Sequence, residues 1–143
     1  SNYFDCDYDF NLKSKDEIEV NLKKNNGVLY VPVSINSVIT LDFLIDTGAS
    51  DVVVPADVFN TLMRSGSITD LDVTGDAVYK LADGRTETSK TFIIHSLKVG
   101  SIELHDIEAS VGKFGASLLL GQTFLKKFKN WSINNERQTL NLN

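Results

Sequence analysis

Alternating apolar and polar residues mark the first third of the chain, and turn residues separate the alternating runs. Residues 17–22 alternate, residues 25–27 read Asn-Asn-Gly, and an apolar run occupies residues 28–35. Alternation with a period of two is typical of a half-buried strand, and an Asn-Gly pair suits a tight turn between strands. We therefore predict a hairpin formed by residues 17–22 and 28–35, followed by a strand over residues 38–45.

Two segments carry helical spacing instead. In residues 55–64 a proline opens the segment, apolar side chains recur at i, i+4 and i+5, and Gly66 follows as a stop signal. Residues 122–128 place Phe124, Leu125 and Phe128 at i, i+1 and i+4. Proline at the start and glycine after the end are typical helix boundaries. Both segments are predicted to be short helices.

The other apolar runs predict further strands: residues 52–54, 77–81, 86–99, 102–111, 118–120, 131–133 and 139–142. Asp83-Gly84 suits a two-residue hairpin turn, because glycine tolerates a positive φ. The alternation slips at His105-Asp106, which predicts a β-bulge. Many strands with only two short helices predict a mostly-β, barrel-like domain rather than a parallel α/β sheet.

Length and charge narrow the possibilities. The 143 residues suit one domain, which we expect to span residues 17–143 after an N-terminal extension of residues 1–16. The net charge of −5 has the wrong sign for binding to nucleic acid. Because Cys6 is the only cysteine, an internal disulfide and a thiolate zinc site are excluded. No apolar run approaches membrane-spanning length, so we expect no membrane contact from this chain.

The most informative residue is Asp46, which follows an apolar strand and precedes Thr47 and Gly48. An aspartate at the end of a buried strand is costly unless it is hydrogen-bonded or functional. Two interpretations stay open on these residues alone. Asp46 either caps a tight turn through its side chain or is a loop carboxylate with a chemical role.

Residues 46–50, Asp-Thr-Gly-Ala-Ser, resemble the catalytic loop of the retropepsin-like aspartic proteases. Residues 119–122, Leu-Leu-Gly-Gln, resemble the apolar-apolar-glycine segment that runs beside that loop in the family. The Asp83-Gly84 hairpin lies between them, where the family has its flap, and the resemblance is closest to bacterial members. It implies these roles: Asp46 as the catalytic group, Thr47 and Gly48 as support of its loop, and Ala49, Leu81, Ala82, Asp83 and Gly84 as substrate-binding or flap residues.

The chain also departs from the viral pattern. Viral members usually pair an acidic residue at the position of Ser50 with an arginine at the position of Gln122, whereas both residues are neutral here. We expect a hydrogen bond between Ser50 and Gln122 in place of the ion pair. Asp51 and Asp57 are candidates for a substrate pocket, although we expect Asp57 to cap the first helix.

The resemblance implies a dimeric enzyme, because the chain contains a single Asp-Thr-Gly triplet and the family's mechanism uses two aspartates. It implies an extended polypeptide substrate and requires no metal or cofactor. Family habit favours an exported, periplasmic or envelope-anchored protein over a cytoplasmic one, and the chain begins with Ser1 rather than Met, so we expect that an upstream segment has been removed. The alternative is a non-catalytic module that uses the same fold for dimerisation or peptide binding.

Overall fold

The computed structural model of the protein describes residues 17–143, so the predicted N-terminal extension and Cys6 lie outside the described residues. The strands are β1 (Ile18–Asn21), β2 (Lys23–Asn25), β3 (Val28–Ile35), β4 (Ile39–Ile45), β5 (Val52–Pro55), β6 (Val73–Lys80), β7 (Thr86–Val99), β8 (Ile102–Gly112), β9 (Leu119–Leu120), β10 (Trp131–Asn134) and β11 (Thr139–Leu142). The helices are α1 (Ala56–Arg64) and α2 (Gln122–Leu125), with a 3-10 turn at Asp70–Asp72.

The main sheet closes on itself. Its strand order is β2-β3-β4-β9-β5-β8-β7-β6, and β3 also pairs with β7, so the strands from β3 to β7 in this order form a closed ring. A smaller sheet, β1-β11-β10, is formed by strands from the two ends of the described chain. The prediction of a mostly-β barrel with two short helices is therefore confirmed.

The barrel interior follows from the alternation in the sequence. Along β3, Val31, Val33 and Ile35 have no exposed surface, while the residues between them are part-exposed. Helix α1 packs on the outside of the barrel, where the ring of Phe59 meets the ring of Phe92 edge-on at a centroid distance of 4.9 Å. Burial of such apolar side chains is the main favourable contribution to folding.

The predicted hairpin of residues 17–22 and 28–35 is wrong in its first strand. The Asn-Gly turn forms as expected, but it joins β2 to β3, and β1 pairs with β11 instead. If the β2–β3 register continued, Val20 would lie opposite Val33 on the edge of β3 that does not face β4. At Val33 this edge is already paired with Val99 of β7. Because barrel closure occupies that edge, residues 18–21 must find another partner.

The predicted β-bulge and the predicted two-residue hairpin turn also need correction. Strands β7 and β8 keep one register on both sides of His105-Asp106, so no residue is inserted there, and the irregularity is a positive φ of 55° at Asp106. The turn between β6 and β7 has three residues rather than two, since Gly84 N–H donates to the Leu81 carbonyl at 2.9 Å and Leu81 N–H to the Arg85 carbonyl at 2.7 Å. Gly84 has a φ of 89°, which favours glycine at that position.

Helix α1 begins after Pro55 as predicted, whereas α2 ends at Leu125, earlier than the sequence suggested. The backbone beyond α2 continues with turn-type hydrogen bonds, including one from Phe128 N–H to the Leu125 carbonyl. No helix within residues 17–143 combines the length and the apolar character that a membrane crossing requires.

A cluster of polar contacts holds the base of the β6–β7 hairpin. Asp72, directly before β6, accepts a hydrogen bond from the Thr69 amide at 2.9 Å, and its other oxygen lies 2.8 Å from Nε2 of His95 on β7. The Thr69 amide is the main reason that the pKa of the Asp72 carboxyl lies below its ordinary value of 3.8, and His95 lowers it further against an opposing effect of desolvation. The ionised carboxylate therefore stabilises the hairpin base.

We predict that Asp72→Asn lowers the stability of the protein at neutral pH. A folded-state pKa below the unfolded one means that the stabilisation is present above about pH 3.8 and is lost as the pH falls through the folded pKa. Urea unfolding at several pH values should therefore show a difference from wild type at pH 7 that shrinks below pH 3.8. Asp70→Asn, in the same 3-10 turn, is the matched control, and an equal effect of the two variants would contradict this account.

Candidate active site

The loop of residues 46–51 has an unusual place in the sheet. It connects β4 to β5, but these strands are not neighbours, because β9 lies between them and pairs with both. The loop must therefore arch over the end of β9. Asp46 stands at the start of this arch, where its amide donates to the Leu120 carbonyl of β9 at 3.0 Å.

The Asp46 side chain is fixed within its own loop. Its Oδ1 accepts a hydrogen bond from Gly48 N–H at 3.0 Å, and its carbonyl accepts one from Ala49 N–H at 3.2 Å. The side-chain turn that the sequence allowed for Asp46 is thus present. This turn satisfies one carboxylate oxygen and orients the half-buried side chain, while Thr47 and Gly48 are exposed at the apex of the loop. The turn is compatible with a chemical role for the carboxylate.

The first residues of α2 hold the loop in place through hydrogen bonds to its carbonyl groups. Gln122 N–H donates to the Ala49 carbonyl at 2.9 Å, and the Gln122 side-chain amide donates to the Thr47 carbonyl at 2.8 Å. Thr123 donates to the Ser50 carbonyl through both its amide and its hydroxyl, at 2.9 and 3.0 Å. The expected bond between the side chains of Ser50 and Gln122 is not the one that forms. The Gln122 amide instead bonds to a backbone carbonyl, and Ser50 takes part through its own carbonyl.

Gly121 is where β9 passes under the arch. A Cβ added to Gly121 would stand 2.5 Å from the Ala49 carbonyl oxygen and still closer to that of Asp51. Neither neighbour is a flexible side chain, so the backbone itself would have to move. The glycine that the sequence resemblance singled out is therefore required by close packing rather than by an unusual φ.

A cavity of about 360 Å³ lies beside the loop, under the β6–β7 hairpin. The loop contributes Gly48, Ala49, Ser50 and Asp51, the hairpin contributes Tyr79 and Ser89, and Val53 with residues 110–112 of β8 completes the lining. A cavity of this size is within the range of ligand-binding pockets. It can accept a side chain of a molecule bound next to Asp46.

Asp51 links the loop to the hairpin, because its Oδ2 accepts a hydrogen bond from the Tyr79 hydroxyl. Burial is the main reason that the pKa of Tyr79 lies above its ordinary value of 10.0, and the bond to Asp51 raises it further. The neutral phenol is thus kept as a donor to the carboxylate. The expectation that Asp51 contributes to a pocket agrees with this geometry.

The predicted site residues are only partly brought together. Gly48 and Ala49 line the cavity beside Asp46, whereas residues 81–84 of the hairpin tip do not line it. Tyr79 and Ser89 supply the hairpin's contribution instead, and sequence reasoning missed both. Alternation along β6 was the available signal, since it separates the two faces of that strand, but it does not say which face meets the loop.

Asp57 does not cap α1 as expected. Pro55 is the N-cap residue and provides no side-chain bond, while Asp57 Oδ1 accepts from Gly115 N–H at 3.1 Å. Asp57 therefore ties the loop after β8 to the start of α1.

Within residues 17–143 no group of three His, Cys, Asp or Glu side chains is arranged to hold a metal ion.

The chain is similar to known proteins in both sequence and structure. Residues 31–127 match the profile of the family described as "gag-polyprotein putative aspartyl protease". No curated protein matches the chain. The matched range includes the Asp46 loop, the hairpin, β9 and α2, which are the elements that build the site.

Two solved structures are similar in fold. A retropepsin-like aspartic protease from Rickettsia conorii has 24% sequence identity and a TM-score of 0.63, with 88% of this chain and 89% of that chain covered. The retroviral protease-like domain of Ddi1 from Leishmania major has 20% identity and a TM-score of 0.56, with 81% of this chain and 88% of that chain covered. At these identities the likeness extends to the fold alone.

We predict that Gly121→Ala destabilises the protein by about 1 to 3 kcal/mol, the usual cost of overpacking, because the added methyl group meets backbone on both sides. Urea unfolding measures the change. Gly48→Ala is the stability control, since its Cβ would meet only Asp46 Oδ1 at an ordinary 3.4 Å and its φ is not in the left-handed region. Equal stability of wild type and Gly121→Ala would mean that the arch is not packed as described.

Proposed function

The chain belongs to this family of gag-polyprotein aspartyl proteases, and we propose that it is an endopeptidase that acts as a homodimer, with Asp46 of each subunit in one catalytic pair. The observation that carries the proposal is the position of Asp46, whose carboxylate is oriented by the Gly48 amide in an exposed, braced loop beside a side-chain-sized cavity. A carboxylate held in this way is available to a second one approaching from outside the chain.

The need for a second subunit follows from the chemistry. Two carboxylates about 3 Å apart cannot both ionise, so they share one proton, as is general for aspartic protease pairs. The chain has one Asp-Thr-Gly triplet, at residues 46–48. Asp46 of the partner subunit is therefore the natural second member. The exposed apex formed by Thr47 and Gly48 supports contact between the two loops at a two-fold axis.

The reaction proceeds by general acid and base catalysis. The ionised carboxylate of the pair removes a proton from a bound water, and the water oxygen attacks the carbonyl carbon of the scissile peptide bond. The protonated carboxyl gives its proton to the carbonyl oxygen, which produces a tetrahedral diol without a covalent enzyme intermediate. Proton transfer to the amide nitrogen then lets the C–N bond break, releasing a carboxylic acid and an amine.

The substrate is a polypeptide in extended conformation. The β6–β7 hairpin overhangs the cavity next to the loop, which suits a peptide lying as an added strand between hairpin and loop with alternate side chains in pockets. Residues 82–86 at the tip are exposed, and Arg85 is paired with Asp83 within the turn through its Nε at 2.6 Å. An exposed tip with few apolar contacts suits a lid that closes on bound peptide.

The terminal sheet restricts how the two subunits can join. Strand β11 lies between β1 and β10 of its own chain, so neither of its edges is free for a partner. Among the described residues, only β1 and β10 have an unpaired edge in that sheet. A dimer that extends this sheet would therefore use β1 or β10, in addition to the contact between the Asp46 loops.

We predict that Asp46→Asn abolishes peptide hydrolysis and leaves the fold intact. Asparagine retains an oxygen that can accept the Gly48 amide, so the loop keeps its turn while the catalytic charge is lost. Cleavage of a peptide library, read by mass spectrometry, measures the activity, and circular dichroism measures the fold. Asp42→Asn, at an exposed position on β4, the strand that leads into the loop, is the matched control.

Normal turnover by Asp46→Asn would refute the assignment of Asp46 as the catalytic group. If wild-type protein forms the dimer and binds peptides but cleaves none between about pH 3 and 8, the non-catalytic peptide-binding module replaces the protease as the better account.

We also predict that specific activity falls on dilution, because separation of the subunits divides the catalytic pair. Activity per mole of chain should follow the dimer fraction measured by analytical ultracentrifugation over the same concentrations. Constant specific activity at concentrations where only monomer sediments would contradict the shared site.

A further inference from the structure

The cavity under the hairpin has an unbalanced charge. Of its ten lining residues, Asp51 is the one with a carboxyl group, and none is Lys, Arg or His. The rest are small, hydroxyl-bearing or apolar residues apart from Tyr79. A side chain entering this cavity therefore meets a single carboxylate and no positive charge from the lining.

The described residues do not neutralise Asp51. Its partner is the Tyr79 hydroxyl, which donates to Oδ2, and no Lys, Arg or His of residues 17–143 forms an ion pair with it. A hydroxyl satisfies one lone pair of the carboxylate but supplies no opposite charge. Oδ1 receives no hydrogen bond from the described residues and can accept one from a ligand.

A second acid adds to the negative potential. Glu108, on β8 and held by the Thr74 hydroxyl at 2.9 Å, contributes together with Asp51 to the raised pKa of Tyr79. Asp51 in the loop and Glu108 on β8 thus both act on the Tyr79 hydroxyl of β6. Within the lining of this cavity, the charge favours a cation and opposes an anion.

We propose that this cavity selects a lysine or arginine side chain of the peptide substrate, with Asp51 as its counter-ion and Tyr79 as the positioning residue that orients the carboxylate. The inference rests on the proposed protease function and adds the class of side chain that the site recognises. The small residues of the lining leave room for a long alkyl stem to reach Asp51.

The reason for selectivity is the cost of covering the carboxylate. A bound peptide displaces water from the cavity, and a carboxylate without solvent or a counter-ion is strongly destabilised. A lysine or arginine at this position restores a partner, whereas an apolar side chain of the same length does not, and a glutamate adds repulsion. The site therefore gains specificity against wrong residues as well as affinity for the right ones.

The test uses the wild-type dimer and a mixed peptide library, with cleavage sites mapped by mass spectrometry. We expect Lys or Arg to be enriched at one fixed position relative to the scissile bond. For the best-cleaved lysine peptide and its norleucine analogue, the ratio of kcat/KM should favour lysine by about tenfold and fall towards one in Asp51→Asn. The ratio should also decrease at high salt, since partly exposed charges are screened.

Two further variants separate charge from structure. Asp51→Lys should reverse the preference towards glutamate, and Asp76→Asn, an exposed carboxylate on β6 outside the cavity, should keep the lysine preference. Tyr79→Phe should reduce the lysine-to-norleucine ratio, whereas a merely structural role for Tyr79 would lower kcat/KM for both peptides by the same factor.

The outcomes are distinct. Cleavage with no cationic preference, or a preference unchanged in Asp51→Asn, overturns this inference and leaves the proposed protease function standing. Absence of cleavage of any peptide by the wild-type dimer overturns both, because the inference concerns a substrate of that activity.

Discussion

The structure of the site depends on one steric constraint, which is the passage of β9 beneath the loop that carries Asp46. Strands β4 and β5 are consecutive in the chain but separated in the sheet by β9, so the loop between them has to cross over the strand that divides them. Gly121 lies at the crossing, against the carbonyls of Ala49 and Asp51. The absence of a side chain at that one position permits the topology on which the site depends.

The same crossing orients the loop. With Gly121 in place, α2 begins directly below the arch, and its first residues donate to the carbonyls of Thr47, Ala49 and Ser50. These bonds fix the backbone, and the Gly48 amide then fixes the Asp46 side chain. Hydrogen bonds to backbone carbonyls, from both amides and side chains of α2, thus do the positioning, and they need no ion pair between neutral Ser50 and Gln122.

Local patterns predicted the elements of this fold well, and contacts between distant segments account for the errors. Turn chemistry identified Asn26-Gly27, and β7 was predicted with its correct bounds as the strand that follows the Asp83-Gly84 turn. The partner of residues 18–21 could not be read from the sequence, because it depends on β7 closing the barrel against β3. In the site, the triplet at residues 46–48 was found, whereas Tyr79 was missed because its role depends on which face of the hairpin meets the loop.

A single chain supplies half of the proposed active site, so the mixing of active and inactive subunits is the most direct test. Wild-type protein is mixed with Asp46→Asn at constant total concentration and allowed to exchange subunits, and peptide hydrolysis is measured against the wild-type fraction. If each site needs Asp46 from both subunits, activity follows the square of that fraction, so an equal mixture retains about one quarter of it. Activity proportional to the wild-type fraction, with about one half retained, would show that each chain acts alone and would contradict the account.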